Sequence, residues 1–133
     1  MSSTILNVVF TRALQLWADP KHRCKGHEKR QTVYGMQYCA IGVLKQARKD
    51  CGVNGNNLPI KKLAKALGFW DDASLIQYND SGRLYLDCSE SNRYDESIIN
   101  RYNQDNIYQR MQDFVKGTID NDFHERNKAE GVQ

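Results

Sequence analysis

Tyr38-Cys39-Ala40-Ile41-Gly42-Val43-Leu44 is the stretch whose reading decides the fold. It lies in a predicted helical run from about Gln37 to Cys51, where an apolar core pattern meets a reactive side chain. At about 100° per residue, Ala40, Val43, Leu44, Ala47 and Cys51 fall in one broad stripe, with Lys45 and Lys49 opposite. Gly42 lowers helix propensity by about 1 kcal/mol against Ala, so its presence predicts that another backbone approaches closely there. Cys39 sits at the border of the stripe, in the first turn. Its first reading is a small buried hydrophobe. Its second is a nucleophile, because the helix dipole and nearby Lys or Arg favour a thiolate.

Upstream, residues 4–18 predict a helix. Leu6, Val9, Phe10, Ala13, Leu14 and Trp17 share a face, Ser3 or Thr4 can cap, and Ile5, Val8 and Leu16 widen the stripe. Only Asn7, Thr11 and Gln15 form a polar strip, so this helix is expected to be largely buried and central. Pro20 stops it. The loop that follows carries Lys21, Arg23, Lys25, Lys29 and Arg30 with His22 and His27, and Gly26 helps it turn. Gln31 to Met36 predicts a short strand or more loop, with Thr32-Val33-Tyr34 its β-like part.

Downstream, residues 51–57 read as a loop and 59–67 as a helix. Pro59 suits its first turn, Ile60, Leu63, Ala64 and Leu67 make its apolar face, and Gly68 ends it. Asp71 to Tyr78 predicts a short helix with Leu75 and Ile76 turned inward. Residues 79–97 are polar and turn-rich around Arg83-Leu84-Tyr85-Leu86-Asp87, a strand that can pair with Thr32–Tyr34. Residues 97–102 leave helix and loop open. Asp105 or Asn106 then caps a last helix with Ile107, Met111, Phe114, Val115 and Ile119 inside, and residues 120–133 form a frayed tail.

The fold class expected is mostly α (α+β): one compact helical domain over residues 1–133 with a minor β-hairpin or short strands. A length of 133 residues with 40% hydrophobic and 26% charged residues suits one soluble core. No apolar run approaches the roughly 18 residues a membrane span needs. Met1-Ser2-Ser3-Thr4 offers no basic n-region, so a cytoplasmic location is expected, that of the host if the protein is viral. Cys24, Cys39, Cys51 and Cys88 contain no C-x-x-C pair and are too sparse for a disulfide framework.

The net charge is +3, but it is unevenly divided. Residues 1–68 hold 12 Lys and Arg against 3 Asp and Glu, and the remainder reverses the balance. Either the basic loop is a face for an anionic ligand, or the halves neutralise each other, with Asp71, Asp72, Asp95 and Glu96 as partners. Five cations within ten residues are hard to pair one by one, which favours an exposed face.

Three chemistries have candidate residues on this frame. His22, Cys24 and His27 are potential zinc ligands, but their spacing matches no common zinc module and the surrounding cations disfavour a dication, so neither metal nor cofactor is expected. Cys39 with His22, His27 or His124 is the minimum for a cysteine hydrolase, with Gln37 a loose oxyanion donor. Leu63 to Gly68 followed by a short helix has the outline of a helix-turn-helix, but a recognition helix opening Asp71-Asp72 would face phosphates with negative charge.

Residues 38–44 resemble the aromatic-Cys-Ala-Leu-Gly-Ala-Leu signature of a small uncharacterised family of bacteria and phages. Members of that family tend to begin with an apolar helix ending near a Trp, as Trp17 does here, and carry a downstream Asn-Asp pair and a closing helix. Asn79-Asp80 matches the pair literally, whereas Asn103-Gln104-Asp105 sits better just before the last helix. The resemblance implies a fold and no reaction.

The leading expectation is a non-enzymatic binding or accessory protein, encoded by a phage or mobile element. It would engage a host protein or a small anionic ligand, ahead of duplex DNA and with no membrane partner. Its candidate binding residues are Lys21, Arg23, Lys25, His27, Lys29, Arg30, Tyr38, Asn79 and Asp80. The alternative is a small cysteine-dependent hydrolase or transferase using Cys39.

Overall fold

The computed structural model describes residues 2–81 and 96–119, with side chains over 4–80 and 103–119. Helix α1, Ser2–Trp17, places Leu6, Val9, Phe10, Ala13 and Trp17 in the core. A 3₁₀ turn at Pro20–His22 leads to strands β1, Lys29–Thr32, and β2, Gly35–Tyr38. Helix α2 is Ala40–Asp50, α3 is Ile60–Ala66, α4 is Asp72–Ser81, and α5 is Glu96–Lys116. The described chain is therefore mostly helical with one two-stranded antiparallel hairpin.

Helix α2 packs between α1 and α4, and α5 closes over α1 and α4. Ala40, Ile41, Val43, Leu44 and Ala47 of α2 meet Phe10 and Trp17 of α1, Leu63 and Leu67 at α3, Leu75 of α4, and Ile107 and Met111 of α5 in one core. Each of the large members contributes about 1.5–3 kcal/mol by leaving water. Phe10 and Phe114 stack edge to face at 4.9 Å, which joins the first helix to the last.

Several boundaries differ from expectation for physical reasons. Residues Gln37 and Tyr38, expected in the first turn of α2, are paired in β2, and the helix starts after Cys39. Val33-Tyr34, expected in a strand, is the two-residue turn between β1 and β2. That turn works because Gly35 takes φ +106°, and Thr32 Oγ1 donates to Gly35 O and accepts the Tyr34 N–H. The strand expected at Arg83–Asp87 lies outside the described residues, and β2 takes the position beside β1.

Helix α5 begins well before residue 106, since residues 97–104 contain neither Pro nor Gly to break it. Asp105 and Asn106 are accordingly inside a helix instead of capping one. Ile5 and Val8 are exposed, so α1 keeps one face in solvent while the other packs against α2 and α5. Ile76 is likewise exposed while Leu75 is buried. The tail at 120–133 lies outside the described residues. Among the described residues, no helix is long and apolar enough to cross a membrane.

Candidate binding site

The basic segment between α1 and α2 is a built structure. Asp19 accepts the Lys21 N–H at 2.9 Å and Pro20 occupies the first position, which sets the 3₁₀ turn. Arg23 then pairs in parallel with Tyr38, and the Cys24 N–H donates to Tyr38 O at 3.0 Å. Gly26 turns the chain at φ +79°, and Glu28 O receives the Cys39 N–H at 3.2 Å. The glycine inside α2 has its cause here. A Cβ on Gly42 would lie 1.7 Å from Glu28 O, so the loop backbone rests directly on the helix.

Four side chains, three of them from distant elements and one the segment's own, hold it in place. Asn79, buried in α4, accepts the Ala40 N–H at 3.1 Å and donates to Cys24 O at 3.4 Å. One amide thus satisfies an orphan donor at the α2 N-terminus and a loop carbonyl at once. Asp80 accepts from Asn79 Nδ2 at 2.9 Å and from the Gly26 N–H at 3.1 Å. Gln104 of α5 donates to Cys24 O at 2.9 Å.

The fourth is Arg23, which departs from its expected place on an exposed face. It is buried, donating to Trp17 O at 3.0 Å and pairing with Asp105. Its guanidinium lies 5.0 Å from the Trp17 ring centre and 5.1 Å from that of Tyr108. Arginine suits this slot because its planar, weakly hydrated cation stacks between rings while its edge hydrogen-bonds. Arg23 is an anchor of the basic segment and not part of its surface.

Lys21, Lys25, Lys29, Arg30 and His27 are exposed. Gln37 ties the hairpin to the turn by donating to Lys21 O at 2.9 Å, and Arg30 donates to Gln37 Oε1 at 2.9 Å. The Lys21 ammonium sits 5.3 Å from the Tyr34 ring centre. At the tip, Val33 is 94% exposed and Tyr34 60%. Asp71, a suggested acidic partner for these cations, instead accepts the Ser74 N–H and hydroxyl. Asp95 and Glu96 have no described side chains. Tyr38 is half-buried in β2, and its carbonyl receives both the Cys24 N–H and the Trp17 indole N–H, the latter at 2.8 Å.

Cys39 is the N-cap of α2, and its Sγ accepts the Gly42 N–H at 3.4 Å. Burial pushes its thiol above the ordinary range, against the lowering effect of the Gly42 and Ile41 N–H groups. The two described histidines are engaged elsewhere, His22 with Tyr34 O at 3.2 Å and His27 with Gly26 O at 2.6 Å. His124 lies outside the described residues. Among the described residues, no group of three or more His, Cys, Asp or Glu is arranged to hold a metal ion.

Asn79-Asp80 and Asn103-Gln104-Asp105 are the two places where the expected Asn-Asp pair could fall. The structure brings both groups to one segment: Asn79, Asp80, Gln104 and Asp105 all bind residues 23–26, and Asn103 donates to Tyr78 O at 3.2 Å. Sequence reasoning missed the stacking roles of Trp17 and Tyr108 and the exposure of Val33 and Tyr34. A polar run inside a helix was the available signal for Gln104 and Asp105; nothing local marked the aromatic pair. No protein-family model, curated protein or solved structure matches the chain.

Proposed function

We propose that this chain is a non-enzymatic binding protein whose basic hairpin docks on an acidic protein surface. Val33 and Tyr34 would enter an apolar depression there. If the chain is phage-encoded, the partner is a host protein. The observation that carries the reading is the tip: two adjacent apolar side chains stand in solvent at the end of a cationic ribbon. Lys29 and Arg30 are consecutive in β1 and so point to opposite faces of it. Charges spread in this way suit an extended acidic surface better than a small anion, which needs donors converging on one point. The anchoring by Arg23, Asn79, Asp80 and Gln104 lowers the ordering cost of binding, and the cations would speed encounter. Cys39 chemistry draws no support from a buried, capped thiol with no histidine partner among the described residues.

The test uses a labelled peptide of alternating Glu and Leu, with duplex DNA as comparison. Two variants are needed: Lys21→Gln/Lys29→Gln/Arg30→Gln, and Val33→Ser/Tyr34→Ser. Both should weaken peptide binding in a polarisation titration while stability moves by no more than about 1 kcal/mol, since exposed groups contribute little. Preferential duplex binding, with a salt slope that drops by about 0.9 for each phosphate no longer neutralised, would replace the protein partner with nucleic acid. Unaltered binding by the tip variant would remove the reading.

A further inference from the structure

We propose that Cys24 and Cys39 are an oxidisable pair, able to close a disulfide across the base of the basic hairpin. The inference goes beyond the binding role and stands without it. Its ground is the parallel pairing of Arg23 with Tyr38, sealed by the Cys24 N–H on Tyr38 O at 3.0 Å. One step further along both chains are Cys24 and Cys39. In parallel strands the alternation of side chains is in phase, so these two residues share the face opposite Arg23 and Tyr38. Neighbouring strands run about 4.8 Å apart, inside the roughly 4.4–6.8 Å between Cα atoms that a disulfide accepts.

Three further observations agree. Both residues are free thiols, 7% and 6% exposed, in the same part of the interior. Asn79 binds Cys24 O and the N–H next to Cys39, which holds the two backbones together. Burial, and after it the charge a Cys39 thiolate would carry, both raise the Cys24 thiol, so the sulfurs sense one another. The contacts at each sulfur are weak: Cys24 donates to His27 O at 3.4 Å, and Cys39 accepts from Gly42 N at 3.4 Å with the Ile41 N–H beside it. Cys51 differs, since its sulfur faces Val8 O on α1.

The oxidant is a small disulfide such as glutathione disulfide. One protein thiolate attacks a sulfur of the oxidant, forming a mixed disulfide and expelling a glutathione thiolate. The second protein thiolate attacks the protein-side sulfur of that bond and expels the other glutathione. Two protein thiols are oxidised, one disulfide is reduced to two thiols, and the protons end on the glutathiones. The product closes residues 24–39 into a covalent loop containing the entire hairpin. Because both thiols are buried and rest in the protonated form, the reaction waits on local opening and is slow.

The full chain carrying Cys88→Ser is equilibrated with glutathione disulfide, quenched in acid, alkylated and digested with trypsin. The expected product is Cys24-Lys25 joined to the peptide Gln31–Lys45, with the mass of two hydrogens lost and restored by dithiothreitol. Cys51, half-exposed, reports that the oxidant has acted. Cys24 and Cys39 still alkylated, or carrying separate glutathiones, when Cys51 has reacted would overturn the assignment. So would a link from Cys51 to either of them.

Discussion

Replacing Gly42 by Ala gives the sharpest test of how the loop sits on α2. The added methyl would lie 1.7 Å from Glu28 O, 2.6 Å from its carbonyl carbon and 3.1 Å from its Cα. An ordinary C···O contact is about 3.3 Å or more, so the Glu28 backbone has to retreat by roughly 1.5 Å. That movement breaks the Cys39 N–H bond to Glu28 O, a loss of about 1 kcal/mol. Overpacking adds about 1–3 kcal/mol. Against these, the helix gains about 1 kcal/mol on exchanging Gly for Ala. The net is a destabilisation of about 1–3 kcal/mol, with Leu at the same position worse. For a domain of this size, each kcal/mol lowers Tm by roughly 3–5 °C, so a fall of roughly 3–15 °C is expected by circular dichroism. Amide exchange at Cys39 should accelerate as well. Gly55→Ala is the control, because the nearest atoms its methyl meets belong to the Arg48 side chain, at 3.2 Å, and not to backbone. A Gly42→Ala variant that melts at or above the wild-type temperature would refute the proposed contact.

Other outcomes follow from the anchors. Arg23→Met should lower stability by about 2–4 kcal/mol in denaturant titration, through lost stacking and an unanswered Trp17 carbonyl. Asp105→Asn should lower it by about 1 kcal/mol or less, because the Asp105 side chain is 53% exposed; equal losses would show that the ion pair dominates. Asn79→Ala should cost about 2–3 kcal/mol by orphaning the Ala40 N–H and removing a donor from Cys24 O. Cys24 and Cys39 are both raised above 9.0 by burial. The folded state therefore holds protons that the unfolded chain releases. This stability is full below about pH 9 and is lost as pH rises through the higher native values. A Cys24→Ala/Cys39→Ala variant should show a flatter decline in denaturation midpoint between neutral and alkaline pH.

Legibility divided along physical lines. Core faces of α1, α2 and α3 were readable because burial imposes a helical period on Val9, Phe10, Val43, Leu44, Leu63 and Leu67. Gly42 was readable because a glycine inside a helix needs a cause. Hairpin register was not, since Lys29 to Tyr38 are exposed or half-buried and no period-two apolar pattern marks them. Arg23 looked like one cation among five. Its burial depends on Trp17, Tyr108 and Asp105, the last of them 82 positions away, and no local pattern carries such a contact. The start of α5 was obscured by polar residues whose side chains serve other elements instead of a cap.

The anchoring of Arg23 has a consequence for how this chain matures during synthesis. Trp17, Arg23 and the hairpin leave the ribosome long before Tyr108 and Asp105, which close the stack from the far end of the sequence. Gln104, which holds Cys24 O, arrives equally late. A nascent or truncated chain lacking α5 carries the same cations and the same Val33-Tyr34 tip, but without the ring and carboxylate that fix their base. Long-range contacts of this kind form last in folding. The fixing of the hairpin's base is thus acquired only once α5 is made, and a chain without α5 would carry a looser ribbon with the same charge.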